Sequence, residues 1–505
     1  MALKDDILDL VEHENADAQT LLKGLTEVLP NSVDAHALYA VSLLRRLQFD
    51  EAIAAFRRVL ELEPKHDEAL HNVAFCLLNL GRYQEAFDAY QQTFSRLSTE
   101  SSLRMSALMH HRLGRLPQAL NSYRQILQKG SPTATGRPAA IQGSVSALRD
   151  AGQILEADHL SRMLRDYFLK APVSIGSTLI ATNNAEDFFE WSNYVDKGQL
   201  GVALMKRQAA DPDGARVPAT FLLPQDREAL EAYAAGPDAP PLYIVKPVRS
   251  SGGQGISVTA DIADAIERDD VVVQRYVERP YLVNGRKGHM RIYGFITSVD
   301  PLRAYVYGEG IVRFAPEAYS FSADEVGGVS RHITNTALHL NHPDLVISTD
   351  PNEENVGLVW SLSAYFDQVA ADGHDRDKVF ADIGTLVAWY IRMLQADGVF
   401  ARQAANHPRR SFMPKLFGLD VLLDSDAKPW LIEMQRVPAM RGQVLVEKVN
   451  SALSENVFRM VNGPLLDERL GPQQITRILS DPEAVKAREL EIELANLGRF
   501  SPLKI

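Results

Sequence analysis

Phe417-Gly-Leu-Asp420-Val-Leu-Leu and Pro429-Trp-Leu-Ile-Glu433-Met-Gln435 are apolar, strand-forming runs flanking a polar Asp424-Ser-Asp-Ala-Lys turn. Asp420, Glu433 and Gln435 are side chains that a strand does not choose for burial. Glu433 and Gln435 are two apart and share a strand face. If the hairpin closes with Asp420 opposite them, three oxygen-bearing side chains converge. Such a set, with few carboxylates, suits magnesium, which shares its shell with water and substrate phosphates. Upstream, Lys246 leaves the apolar stretch Pro241-Leu-Tyr-Ile-Val just ahead of Arg249-Ser-Ser-Gly252-Gly253-Gln-Gly255-Ile. An ammonium beside glycines whose N–H groups can approach closely suits phosphate. The lysine precedes the glycines, so this is not a P-loop. Arg291 and Arg313 lie within apolar strands and need anionic partners or a cleft. The chemistry these residues raise is that of a nucleotide-using enzyme.

No convincing Ser/His/Asp or Cys/His arrangement accompanies them. The one cysteine, Cys76, lies in an apolar helical context and is read as a core residue. It excludes an intrachain disulfide and a cysteine metal site. His332, His339 and His342 are read as structural or solvent-facing, because the pair His339-Leu-Asn-His342 has no third zinc ligand.

A chain of 505 residues exceeds one core, so two or three domains must position these groups. Its 23% charged and 46% hydrophobic residues are those of a soluble globular protein. The net charge of −12 is spread along the chain, which argues against nucleic-acid or acidic-membrane partners. The acidic N-terminus lacks a signal-peptide core, and no apolar run spans a bilayer. The expected location is cytoplasmic.

The first third repeats itself. Ala40, Ala74 and Ala107 recur at spacings of 34 and 33, as do Ala52, Ala86 and Ala119, and Phe56, Tyr90 and Tyr123. Gly81 and Gly114 precede their alanines by five residues, and Pro30 and Pro64 end two copies. The pattern resembles the tetratricopeptide repeat, in which small residues let paired helices touch and an aromatic fills the adjoining gap. Copies are expected at 33–66, 67–99 and 100–130, with a degenerate one at about 135–168 carrying Gly152 and Ala157, and an incomplete one in 1–32. Residues 131–138 read as a loop. The expected role is a groove that binds a protein or peptide.

From about residue 172 strands alternate with helices. Val271-Val-Val-Gln274-Arg-Tyr276, Lys287-Gly-His289-Met-Arg291-Ile-Tyr, Gly310-Ile-Val-Arg313-Phe and Arg331-His-Ile-Thr334-Asn335 follow in order. The order Lys-Pro…Gly-x-Gly-Ile, Gln-x-Tyr…Pro, Arg-x-Tyr, Gly-x-x-Arg-Phe, His-x-Thr-Asn, Phe-Gly-x-Asp and Pro-Trp-Leu-Ile-Glu resembles the tubulin tyrosine ligase-like family over roughly residues 190–445. The resemblance implies an α+β ATP-grasp domain following the all-α repeats, and ligation of an amino acid to a protein by an amide bond.

It further implies that Lys246 and the Arg249–Gly255 loop hold ATP phosphates, with Lys197 a weaker candidate. Gln274 and Tyr276 would face adenine, and Lys287 would line the nucleotide site. Arg291 and Arg313 would clamp the reacting substrate, Thr334 and Asn335 would lie near phosphate and metal, and Asp420, Glu433 and Gln435 would hold magnesium. Two residues depart from the family pattern: His289 stands where aspartate is usual, and Gln435 where asparagine is usual. The expected division is repeats over 1–170, a ligase domain over 171–463 and a helical extension over 464–505. ATP would activate a carboxylate as an acyl phosphate for attack by an amine, so no nucleophilic side chain is required. Two other readings are a ligase for small molecules and a non-catalytic scaffold with a degenerate ligase fold.

Overall fold

A computed structural model of the chain describes residues 16–45, 48–94, 100–129, 136–170, 197–211, 214–248, 253, 255–268, 271–321, 329–339, 342, 346, 348–406, 414–435, 438–440 and 442–505. They fall into two units. One is Met1–Glu190 with Gln403–Met413 and Val457–Asn496; the other is Trp191–Arg402 with Pro414–Asn456 and Leu497–Ile505.

In the first unit helix α1 (Ala16–Val28) precedes four helix pairs: α2 (Val33–Arg45) with α3 (Phe49–Leu62), α4 (Asp67–Asn79) with α5 (Tyr83–Phe94), α6 (Glu100–Arg112) with α7 (Leu116–Lys129), and α8 (Gly136–Asp150) with α9 (Ile154–Lys170). The recurring alanines Ala40, Ala52, Ala74, Ala86, Ala107 and Ala119 are wholly buried, because the helices touch at them. Phe56, Tyr90 and Tyr123 are buried beside them. Each of the last three pairs turns the same way. Gly81, Gly114 and Gly152 have φ of 71°, 68° and 71°, a conformation glycine adopts without a Cβ penalty. Around Gly81, its own N–H donates to Leu78 O and that of Arg82 to Leu77 O, the doubly bonded helix end that satisfies otherwise orphaned carbonyls.

The degenerate copy therefore keeps the geometry. Within α8, a Cβ on Gly143 would stand 2.4 Å from the Tyr123 hydroxyl, so the helix gives up a side chain to admit the ring. The loop read over 131–138 is corrected at its end: residues 136–138 open α8, where Pro138 is tolerated because first-turn N–H groups have no helical partner. The residues before 136 in that stretch lie outside the described residues.

The segment Val457–Asn496 packs on the last repeat. Phe458 stacks on Phe168 with ring centroids 4.4 Å apart. Asp158, buried on α9, accepts from the backbone N–H groups of Leu465 and Leu466 at 2.8 and 2.6 Å. Arg149 donates to Gly463 O at 2.7 Å. Ile154 joins Leu465, Leu466, Ile478, Ala484 and Ile492 in one apolar cluster.

The second unit holds two antiparallel sheets. Strands β1 (Thr220–Leu223), β2 (Tyr243–Pro247), β3 (Ser257–Thr259) and β4 (Val271–Arg275) pair in the order β1-β4-β2-β3. The larger sheet contains β5 (Leu282–Val283), β6 (Arg286–Val299), β7 (Leu302–Tyr307), β8 (Ile311–Phe314), β9 (Val359–Ser361), β10 (Lys415–Leu423), β11 (Pro429–Gln435) and β12 (Phe500–Pro502). Its main path is β11-β10-β6-β7-β12, with β5 and β8 also on β6, and β9 on β8. Met290, Ile292 and Ile296 are wholly buried on one face of β6. On that face Phe417 meets Tyr390 of the helix Arg376–Ala396. A Cβ on Gly294 would collide with the Phe417 ring at 2.3 Å.

The architecture is the all-α tetratricopeptide-type array followed by an α+β domain of ATP-grasp type that the motifs imply. Among the described residues no helix is long and apolar enough to cross a membrane.

Candidate functional site

The other face of the larger sheet carries the polar residues. Side chains alternate along a strand, so Lys287, His289, Arg291 and Tyr293 of β6 point one way. Register brings neighbours to the same face: Arg291 lies opposite Asp420 on β10, and Asp420 opposite Glu433 on β11. Tyr293 lies opposite Gly418, and Gly418 opposite Gln435. On the remaining edge of β6, His289 lies opposite Arg313 of β8. A bulge just after Asp420 shifts the β10–β11 register, a device common beside functional sites.

Arg291 donates to both Asp420 oxygens, Nε to Oδ1 at 2.6 Å and Nη2 to Oδ2 at 3.2 Å. Gly418 permits this, since a Cβ there would stand 2.8 Å from Arg291 Cδ. Burial by itself would raise the Asp420 carboxyl, but Arg291, His289 and Arg313 together outweigh it and hold the group well below the ordinary carboxylate range. Burial likewise opposes the Arg291 charge, and Asp420 more than restores it. Gln435 Nε2 donates to Glu433 Oε1 at 2.7 Å. His289 Nδ1 and Thr334 Oγ1 share a 2.5 Å hydrogen bond. Burial pushes the His289 imidazole down to about 4, with Arg313, Arg291 and Lys287 acting in the same direction against Asp420, so it is neutral at physiological pH. For Arg313, burial and the neighbouring Arg291 disfavour the charge. Among the described residues no carboxylate forms an ion pair with Arg313.

The smaller sheet supplies a second cluster. Lys246 Nζ, buried on β2, donates to Gln274 Oε1 at 2.8 Å, and Gln274 Nε2 donates to Thr220 Oγ1 at 2.9 Å. Lys287 Nζ donates to the Tyr276 hydroxyl at 2.9 Å and stands 4.1 Å from that ring's centroid. The same hydroxyl is hydrogen-bonded to His332 Nδ1 at 2.9 Å. Burial, reinforced by the charge of Lys246, pushes the Lys287 ammonium down to about 7. Two lysines, one from each sheet, thus feel each other's charge. Gly253 (φ 89°) and Gly255 (φ 70°) belong to the adjoining loop, and a Cβ on Gly253 would stand 3.0 Å from Asn335.

The structure therefore brings together Lys246 with Gln274, Lys287 with Tyr276, Arg291 with Asp420, Glu433 with Gln435, and Gly253 with Asn335. Arg249 and Gly252 lie outside the described residues, and so does the side chain of Lys197, which opens the helix Lys197–Ala210. Thr220, Gly418 and the His289–Thr334 contact were not singled out from sequence. Only Gly418 left a signal, by standing two residues before Asp420 and so on its face. Among the described residues no three His, Cys, Asp or Glu side chains cluster as a metal cage. Two carboxylates and an amide fit magnesium, whose remaining shell is usually phosphate and water. The converging lysines and arginines fit a polyphosphate and a second anion.

Comparison with known proteins gives two family matches. Residues 183–468, more than half of the chain, match the family described as "Tubulin-tyrosine ligase family". Residues 12–93 match "Anaphase-promoting complex, cyclosome, subunit 3". The chain is 32% identical over 275 residues to "Probable beta-tubulin polyglutamylase" of Tetrahymena thermophila, covering 52% of this chain and 22% of that protein. It is 32% identical over 248 residues to human "Tubulin polyglutamylase TTLL5", covering 48% and 19%. The same identity holds over 247 residues for "Tubulin polyglutamylase ttll-4" of Caenorhabditis elegans, covering 48% and 40%. The matched region spans less than half the length of each of these relatives.

Proposed function

The chain belongs to the tubulin-tyrosine ligase family, and from that premise we propose that it is an ATP- and magnesium-dependent ligase that joins an amino acid to a protein or peptide by an amide bond. The observation that carries this reading is Arg313: a cation in the site that forms no ion pair with a described carboxylate and whose charge burial and Arg291 disfavour, one strand from the matched Arg291–Asp420 pair. A site built that way receives an anion. Asp420, Glu433 and Gln435 would hold magnesium. Lys246, Lys287 and the Arg249–Gly255 loop would take the nucleotide phosphates, with Thr334 and Asn335 beside them. Lys197 is a weaker candidate for the same role, and Gln274 and Tyr276 would border the base. Arg291 and Arg313 would grip the carboxylate that reacts.

ATP supplies what a carboxylate lacks at neutral pH, a phosphorylated oxygen able to leave. The protein's own residues position the reactants and neutralise charge, and preorganised cations in a water-poor site do this without reorganising. Three relatives bear names of tubulin polyglutamylases, which makes glutamate the first amino acid to test and tubulin the first acceptor. The repeats would recruit the acceptor, since stacked helix pairs present an extended concave surface.

The test is incubation of the full chain with ATP, magnesium, each amino acid and candidate acceptors, including tubulin. ADP release and a mass increase on the acceptor are expected, both lost in Glu433→Gln. Absence of nucleotide binding together with absence of any amino-acid-dependent turnover would remove the proposal.

A further inference from the structure

Asn450 is wholly buried on the helix Val444–Val461, where an amide is tolerated only with its hydrogen bonds made. Its Oδ1 accepts from the Tyr293 hydroxyl at 2.7 Å. Its Nδ2 donates to the carbonyls of Ala439 and Met440 at 3.3 and 3.0 Å. Both ends of this network reach the polar face. Tyr293 stands two residues beyond Arg291 on β6 and opposite Gly418, which lies opposite Gln435. Ala439 and Met440 belong to the chain that leaves β11 after Gln435. The helix itself is anchored, because Leu445, Val446 and Val449 pack with Ile311 and Val359. Those two are the register partners of Arg291 and Arg313.

We propose that Asn450 is a positioning residue that ties the chain following Gln435 to the strand carrying Arg291, and so sets where Glu433 and Gln435 stand to receive a divalent cation. The proposal rests on the reading of Asp420, Glu433 and Gln435 as the metal-holding set. Its physical basis is that a fully satisfied buried polar network permits one arrangement of the groups it joins, whereas apolar packing of equal volume permits several. An apolar side chain at 450 would fill the space and leave the Ala439 and Met440 carbonyls to find other donors. The backbone at Ala439 and Met440 would then be free to move, and the oxygen donors of β11 would shift relative to Asp420.

The test uses the full chain with Tyr293→Phe, which removes one hydroxyl, and Asn450→Ala. Manganese(II) is titrated in the presence of a non-hydrolysable ATP analogue and followed by electron paramagnetic resonance. Binding of the analogue without metal is measured separately, and circular dichroism reports the fold. Both variants are expected to bind manganese about 10- to 100-fold more weakly, with metal-free analogue binding unchanged. Wild-type manganese affinity in folded Tyr293→Phe would overturn the positioning role. An equal loss of metal-free analogue binding would overturn it too, by showing a general structural effect. If the unaltered chain binds no manganese with the analogue, the metal reading itself fails, and that result is separate from either variant outcome.

Discussion

Arg291 gives two N–H groups to Asp420 across adjacent strands, so each charge is answered before any ligand arrives. Arg313 has no such carboxylate among the described residues. The two arginines should therefore respond differently to removal of a charge nearby. Asp420→Ala leaves Arg291 buried without its counter-charge and should cost about 3–5 kcal/mol of stability, seen as a lowered unfolding midpoint. Arg313→Ala removes a half-buried cation that repels Arg291 and is drawn to Asp420 without an ion pair, so stability should change little while kcat falls about 10²- to 10³-fold. Thermal unfolding beside ADP release separates the cases.

Lys287 gives a pH signature without any assay of activity. Its folded-state ammonium titrates at about 7 against an ordinary 10.5. Between those values the unfolded chain holds a proton that the folded chain does not, so stability should rise with pH across that window. The groups facing Lys287 are Lys246, which lowers it, and Tyr276, whose hydroxyl accepts its hydrogen bond and itself contacts His332. Denaturant unfolding of the unaltered chain and of Lys287→Met from pH 7 to 10 should show a shallower rise in the variant.

At the scale of the element, the polar face is made by four neighbouring strands, β11, β10, β6 and β8, and only part of it was legible beforehand. The hairpin of β10 and β11 could be read because apolar alternation and a polar turn set its register locally. The row Arg291–Asp420–Glu433 could not, since β6 reaches β10 from far away in sequence and nothing local states which strand lies alongside. The same limit hid Thr220, which anchors Gln274 from β1. Gly418 tests the row. Gly418→Ala places a Cβ 2.8 Å from Arg291 Cδ, so the guanidinium must leave its bidentate geometry. Overpacking of this kind should cost about 1–3 kcal/mol and reduce turnover, with a larger effect on kcat than on nucleotide affinity.

At the scale of the whole molecule, the C-terminal part of the chain serves both units. Val457–Asn496 belongs with the repeats, and Phe500–Pro502 returns to the larger sheet as β12 beside β7. Asp158 is the contact that defines the first of these. Asp158→Ala leaves the buried N–H groups of Leu465 and Leu466 without their acceptor, at about 1–3 kcal/mol each, and denaturant unfolding should report the loss. A chain ending at Asn456 should melt at lower temperature and associate, because Ile154 and Phe168 lose their cover. A fragment beginning at 172 would carry Val457–Asn496 without the repeats on which it packs.

By itself the sequence determined the repeats, the hairpin with its three oxygen-bearing side chains, the lysine ahead of the glycine loop and the order of motifs that gives the family. These are local: helix contacts recur at a fixed spacing, strands alternate, and a glycine with positive φ marks a helix end. Tertiary structure decided which charges meet. Arg291 answers Asp420 while Arg313 forms no ion pair with a described carboxylate, Lys287 shares its surroundings with Lys246, and Asn450 joins Tyr293 to the Ala439 and Met440 carbonyls. Those outcomes depend on the register of distant strands and on burial, which disfavours a lone charge and strengthens the interactions between the groups it encloses.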